Sequence, residues 1–204
     1  MTPSDITKQL TALLADALAP VGFRKKRAGW LLRRVGGREE AVAVSVTRRR
    51  GPPGDLYDAA VYLHLNYPAV NTLRNAFLPQ KGSFSASTAA LPLNALTGKP
   101  CLAYVWRAAD PLEPLAEQLA ADTARYGPLF WGRYDTLEKL AARLAAPDSE
   151  EHGCFFSGLP YERQACHAAA LCVLGKRDAL DRLLAQQDFP EAVRQLVRDR
   201  TRSM

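Results

Sequence analysis

The chain is poor in sulfur and in histidine, with four cysteines, two methionines and three histidines among 204 residues. Cys101, Cys154, Cys166 and Cys172 form no C-x-x-C pair and no dense framework, so reduced thiols are expected rather than a disulfide-stapled fold. No apolar run approaches the roughly 20 residues that cross a bilayer. The start, Met1-Thr2-Pro3-Ser4-Asp5, lacks the basic and apolar regions of a signal peptide, and a cytoplasmic protein is expected. Gly-rich phosphate loops, nucleophile elbows and H-E-x-x-H are also missing, which removes the catalytic centres most readily read from sequence.

What is there is ordinary globular material: 48% hydrophobic and 24% charged residues, enough chain for one domain with an extension or two small ones. The formal net charge of +6 raises the question of an anionic partner. Its distribution is uneven. Residues 1 to 50 carry 11 basic against 4 acidic side chains (+7), whereas residues 107 to 162 carry 5 against 10 (−5), which suggests a basic face and an acidic face. A solvated charged surface explains the same counts.

Thr2, Pro3 and Asp5 read as N-cap, first helical position and first-turn acid of a helix whose apolar stripe is Ile6, Leu10, Leu13, Leu14, Ala17 and Leu18. Pro20 and Gly22 end it. A basic connector, Gly22 to Ala28, then leads into strands at Trp30 to Val35 and Glu40 to Thr47, joined through Gly36-Gly37 as a tight hairpin. The second of these strands alternates Val42, Val44 and Val46 with Ala41, Ala43 and Ser45, a pattern that admits cover on both sides. A third strand runs from Tyr57 to Leu65. Further on, a short helix at Val70 to Phe77 and strands at Ser83 to Ser87 and Cys101 to Arg107 are expected. They precede a helix capped by Asp110 that ends at Tyr126-Gly127, an aromatic linker at Phe130-Trp131, and a helix at Thr136 to Ala146. Pro147 to Glu151 is the best boundary. Three helices follow, at Pro160 to Leu174, Asp178 to Ala185 and Phe189 to Arg200.

These elements predict an α+β fold: an N-terminal helix packed on an antiparallel sheet of about four to five strands, followed by a helical C-terminal region. The expected division is a domain at 1–146 and a helical extension at 147–204, either separate or part of the same domain. The succession of a helix ending in Gly22-Phe23, then Arg24-Lys25-Lys26, an aromatic-centred strand, a Val-rich strand and Tyr62-Leu63-His64-Leu65-Asn66 resembles the family catalogued as domain of unknown function 4304. The resemblance covers roughly residues 3 to 70. It implies a bacterial α+β domain without an assigned reaction, some of whose relatives look like immunity or interaction proteins. This chain departs from the family pattern at Thr47-Arg48-Arg49-Arg50, where a polar segment is usual.

Candidate chemistry is sparse. His152, Cys154, Cys166 and His167 have metal-like composition. Cys166 and His167, however, are adjacent in a predicted helix, where neighbouring side chains diverge by about 100°, so no metal site is expected. His64 and Asp58 share a strand face but lie about 20 Å apart at the usual rise per residue, too far to act as an acid–base pair. No catalytic residue and no cofactor is therefore assigned. The candidate partner-binding set is Arg24, Lys25, Lys26 and Arg27 before the hairpin with Arg48, Arg49 and Arg50 after it, groups expected to converge at one end of the sheet. Trp30 either stacks on a ligand there or packs on the sheet. The expectation is a non-enzymatic binding protein whose basic sheet edge meets an acidic protein partner. A nucleic-acid-binding module using the same edge is the alternative, a hydrolase with an unconventional site is a third reading, and no membrane association is expected.

Overall fold

The computed structural model describes residues 1–49, 56–78, 87–99, 104–146 and 161–202. The chain forms two compact units, Met1–Leu65 with Leu91–Gly132, and Asn66–Ala90 with Arg133–Met204. The proposed boundary segment, 147 to 151, lies outside the described residues.

The first unit begins with helix α1 (Pro3–Leu18). Thr2 caps it as its residues require. Its hydroxyl accepts the Asp5 N–H at 3.2 Å while the Asp5 carboxylate accepts the Thr2 N–H at 3.2 Å, a reciprocal capping box that satisfies two otherwise orphaned donors. Ile6, Leu10, Leu14 and Leu18 are fully buried, each stabilising the fold by roughly 1.5–3 kcal/mol. The helix packs on the sheet and on α4 (Glu113–Trp131).

Among the described residues six strands make the sheet: β1 (Arg24–Arg27), β2 (Trp30–Val35), β3 (Arg38–Arg48), β4 (Leu56–Asn66), β5 (Ala89–Pro92) and β6 (Val105–Arg107). Their order is β1-β2-β3-β4-β5, with β6 also pairing with β4. The antiparallel β2–β3 hairpin pairs Val35 with Arg38, and Gly36 and Gly37 supply the positive φ angles (54° and 80°) its two-residue turn demands. The α+β architecture read from the sequence is present, with one more strand than the four to five expected. β1 falls in the stretch expected as a basic connector, and β5 lies after the strand expected at Ser83 to Ser87. Of the strand expected at Cys101 to Arg107, Val105–Arg107 is described; most of the one expected at Ser83 to Ser87 lies outside the described residues.

One sheet face is core. Leu31 of β2, Val42, Val44 and Val46 of β3, and Tyr57, Ala59, Val61, Leu63 and Leu65 of β4 are all buried there. The opposite face is open: Ser45, Thr47 and Tyr62 are exposed and Trp30, Ala43, Ala60 and His64 are only partly covered. The Ala/Ser side of β3 is thus covered at Ala41 (4% exposed) and opens from Ala43 onward.

Helix α4 departs further from expectation. It starts at Glu113 rather than behind an Asp110 cap, and it continues through Gly127 and Pro128 to Trp131 instead of stopping at Tyr126-Gly127. Helical side chains lean toward the N-terminus, so Trp131 folds back over the residue four positions earlier. A Cβ at Gly127 would lie 2.3 Å from the Trp131 ring, and glycine is what lets the indole lie there. Phe130 and Trp131 are consequently buried helix residues rather than a linker.

The second unit contains α2 (Pro68–Phe77), α5 (Leu137–Ala145), α6 (Glu162–Val173), α7 (Arg177–Leu184) and α8 (Glu191–Arg202), close to the expected positions. Leu93–Thr97 of the first unit adds the short α3, which had no signal among its flanking prolines and glycines. Thr136 caps α5 through the Lys139 N–H at 3.2 Å. In the second unit, α2 and α6 meet around an ion pair between Arg74 and Glu162 at 3.2 Å, both 1% exposed. Arg74 also donates to the Ser87 carbonyl at 2.8 Å, and removing either charge would strand the other in a dry interior. Ala165, Ala168, Ala169 and Ala170 are fully buried, their small side chains permitting close helix approach.

Gly29 ties helix to sheet in the first unit. Its N–H donates to the Thr11 hydroxyl at 2.8 Å, its carbonyl accepts the Val44 N–H at 2.8 Å, and its φ is 75°. A Cβ there would sit 2.8 Å from the Val44 carbonyl oxygen, whereas one at Gly36 would meet nothing within 4 Å. Gly29→Ala should therefore cost about 3 kcal/mol and Gly36→Ala about 1 kcal/mol in chemical denaturation. Equal losses would contradict the close approach.

Candidate interaction surface

The basic stretch splits on folding. Arg33, on the core side of β2, pairs with Glu40 of β3, its direct cross-strand neighbour. Its Nε donates to the Glu40 carboxylate at 2.7 Å and its Nη2 lies 2.6 Å from the same oxygen. Arg38 donates to the other Glu40 oxygen at 2.7 and 3.0 Å. Glu40 is 1% exposed and is held by two forked cations, the arrangement that makes a buried carboxylate tolerable. The Arg33 guanidinium also lies over the rings of Phe23 (4.7 Å) and Trp131 (5.0 Å), which stand 5.4 Å from each other. A cation over an aromatic face is stabilised by about 0.5–1 kcal/mol, and by more where it is desolvated. The Trp131 indole N–H is satisfied by the His64 carbonyl at 3.0 Å.

The residues assigned to partner binding take distinct places. Arg24, Lys25, Lys26 and Arg27 are strand β1, exposed throughout, at an outer edge of the sheet. Its pairing with β2 shifts register between Lys25 and Arg27, a bulge at Lys26. A short, charged, bulged edge is what keeps sheets from pairing with one another, so part of this composition is structural. Arg24 donates to the carbonyls of Ala19 and Phe23, closing the turn after α1. The Arg27 guanidinium lies 5.3 Å over Trp30. Lys25 and Lys26 make no side-chain hydrogen bond or ion pair among the described residues.

Arg48 is exposed at the end of β3. Arg49 grips Asp58 of β4, with Nε 2.9 Å from both carboxylate oxygens and Nη2 2.8 Å from one, and this hydrogen bonding pushes the guanidinium further toward its charged form. Asp58 is thus the counter-ion of Arg49 rather than a partner of His64. Arg50 lies outside the described residues. Arg27 stands level with Trp30 and hence with Ala43, and Arg48 is five residues further along β3, about 16 Å at a strand's rise. The two basic groups share an end of the hairpin without meeting.

Across the open face runs a row of planar groups. Arg27 covers Trp30, the Trp30 ring lies 4.7 Å from the His64 imidazole, and His64 lies 6.5 Å from Tyr62. Trp30 belongs to β2 and His64 to β4, with β3 between them, and Ala43 is the β3 residue beside Trp30. Strands two places apart stand roughly 10 Å from one another, so these rings meet only because small side chains underlie them. Burial pushes the His64 pKa down to about 4, leaving the imidazole neutral against the Trp30 ring.

The second unit holds a cavity of about 620 Å³ lined by Leu144, Arg163, Gln164, His167, Leu183 and Asp188 among others. Its cation is engaged: Arg163 Nε donates to the Leu144 carbonyl at 3.1 Å and Nη2 to that of Ala146, capping the end of α5. Burial holds His167 neutral, with its pKa down at about 4, and Arg163 adds to the shift. The adjacent Cys166 is buried, its thiol pushed up to about 12 by that burial. Neither side chain offers an activated nucleophile or base. Among the described residues no three His, Cys, Asp or Glu side chains gather as metal ligands; His152 and Cys154 lie outside them.

Both shifted histidines couple stability to pH in one direction. Their unfolded pKa is near 6.5 and their folded pKa about 4, so only the unfolded chain takes up protons in that interval. The stability each contributes is fully present above pH 6.5 and is lost as pH falls toward 4. Urea denaturation at pH 5 should show each unit weaker than at pH 7.5 by about 1–2 kcal/mol. His64→Gln should flatten this dependence in the first unit only; an unchanged slope would contradict the burial of that ring.

No protein-family model, curated protein or solved structure matches this chain.

Proposed function

We propose that this chain is a non-enzymatic binding protein of the bacterial cytoplasm, of immunity or interaction type as the resemblance on Gly22 to Lys26 implies. In this reading its basic sheet edge meets an acidic protein partner. The observation that supports it is β1: four consecutive basic side chains, all exposed, on an outer strand about 13 Å long. Lys25 and Lys26 point their ammonium groups to solvent with no partner among the described residues.

The extent of the charge favours an acidic protein patch over a nucleic-acid backbone. Phosphate tracking needs a stripe of cations, on the order of 6–10 contacts in salt-sensitive binders. Beyond β1 the positive field is interrupted: Arg34 pairs with Glu39 at 3.2 Å, Arg49 with Asp58, and Arg33 and Arg38 with Glu40. The four cations of β1 are compact, and compact basic clusters steer and orient acidic protein surfaces. No helix among the described residues is long and apolar enough to cross a membrane.

Fluorescence anisotropy with labelled polyglutamate at low salt tests the reading. Binding should weaken steeply with added salt, and the Lys25→Glu/Lys26→Glu variant should lose about tenfold or more in affinity. These lysines suit the test better than Arg49, whose reversal would also break its bond to Asp58. Undiminished binding by the double variant would remove β1 from the interface.

A further inference from the structure

The open sheet face beside β1 carries a second kind of surface. Tyr62 ends the row that begins at Arg27, and it is 43% exposed. The Trp30 ring is in contact with both Arg27 and His64 and is only partly exposed, so Tyr62 is the exposed aromatic of the row. Val105 of β6 is 40% exposed and pairs with Asp58, which shares its strand face with Ala60 and Tyr62. Ser45 and Thr47, both exposed, add neutral hydroxyls on the same face of β3. The face is therefore uncharged in its middle, with β1 along one margin, where Arg27 stands level with Trp30, and with Val105 and the neutralised Arg49–Asp58 pair toward an end.

An apolar aromatic centre with a charged rim is the anatomy of a protein-binding surface, where aromatic anchors in the middle supply most of the affinity and rim charges supply orientation. From this we infer that Tyr62 seats an aromatic or aliphatic side chain of the same acidic partner whose carboxylates meet Lys25 and Lys26. The occupant is thus an acidic protein segment bearing apolar anchors, not a uniform polyanion. The inference rests on the acidic-partner reading and adds its apolar half. Complementarity is what selects this occupant. A uniformly acidic segment would leave the aromatic centre uncovered, and an uncharged apolar one would leave the ammonium groups of β1 unanswered.

The probes are two labelled polymers of equal length, polyglutamate and a glutamate-rich copolymer with tyrosine. The wild-type chain should bind the copolymer about tenfold more tightly than polyglutamate, the gain expected when one aromatic pair is added. Tyr62→Ser should erase that difference, Tyr62→Phe should keep it, and polyglutamate affinity should be the same in all three proteins. Lys25→Glu/Lys26→Glu should weaken both polymers alike. Equal affinity for the two polymers, or a copolymer preference that survives Tyr62→Ser, overturns the apolar anchor while leaving the acidic-partner reading intact. Failure of both polymers to bind at low salt overturns the two together. Two other results overturn it as well: tighter binding of oligothymidylate than of the copolymer through Tyr62, and reversible dimerisation in sedimentation that Tyr62→Ser abolishes. The first would mark the face as a base-stacking platform, the second as a contact between copies of this chain.

Discussion

A buried carboxylate organises the first unit. Glu40 is taken out of water on the core side of β3, which would be prohibitive alone and is acceptable only because Arg33 and Arg38 close on its two oxygens. Arg33 in turn lies over the adjoining rings of Phe23 and Trp131, so one ion pair joins the residue before β1, the β2–β3 pairing and the end of α4. Gly127 then has to be glycine, because the Trp131 ring occupies the space over it. Cation, carboxylate and rings depend on each other, and the strands are held at the level where cross-strand neighbours Arg33 and Glu40 coincide.

The same arrangement sorts the charges that make the chain basic. Arg33, Arg34, Arg38 and Arg49 are engaged by carboxylates of the first unit, and Arg74 is buried with Glu162 in the second. These cations are held within the fold by carboxylates. The cations of β1 stand apart from them, on an edge strand whose side chains all face solvent. Beside them the open sheet face offers Tyr62 and Val105 rather than more charge. Neither histidine nor cysteine chemistry supplies a competing site among the described residues. His64 and His167 are held neutral by burial, and Cys166 is held as a thiol.

Much of the fold was legible because local rules and burial agreed. Thr2, Pro3 and Asp5 announce α1, Gly36-Gly37 announces the hairpin, and the Val and Leu periodicities of β3, β4 and the C-terminal helices match the faces they bury. β1 was not legible, since an edge strand exposed on both sides has no apolar alternation to read. The continuation of α4 was hidden for another reason: Gly127-Pro128 has the composition of a stop, and only the return of Trp131 over Gly127 explains why the helix goes on. The roles of the arginines were hidden as well. Nothing in the order of residues 33 to 40 distinguishes Glu40, which is buried, from Glu39, which forms a surface pair with Arg34. Asp58 and His64 lie six residues apart on one strand, and the pairing of Asp58 with Arg49 depends on β3 and β4 lying side by side.

The central claim is the division of one basic stretch into cations that hold the fold and cations that meet a partner. Side-chain NMR during titration with polyglutamate measures it directly, using methyl-tagged lysines and the arginine Nε–H signals. The Lys25 and Lys26 signals should shift with saturation while those of Arg33, Arg38 and Arg49 stay in place. Movement of the Arg33 and Arg49 signals with Lys25 and Lys26 unchanged would contradict it.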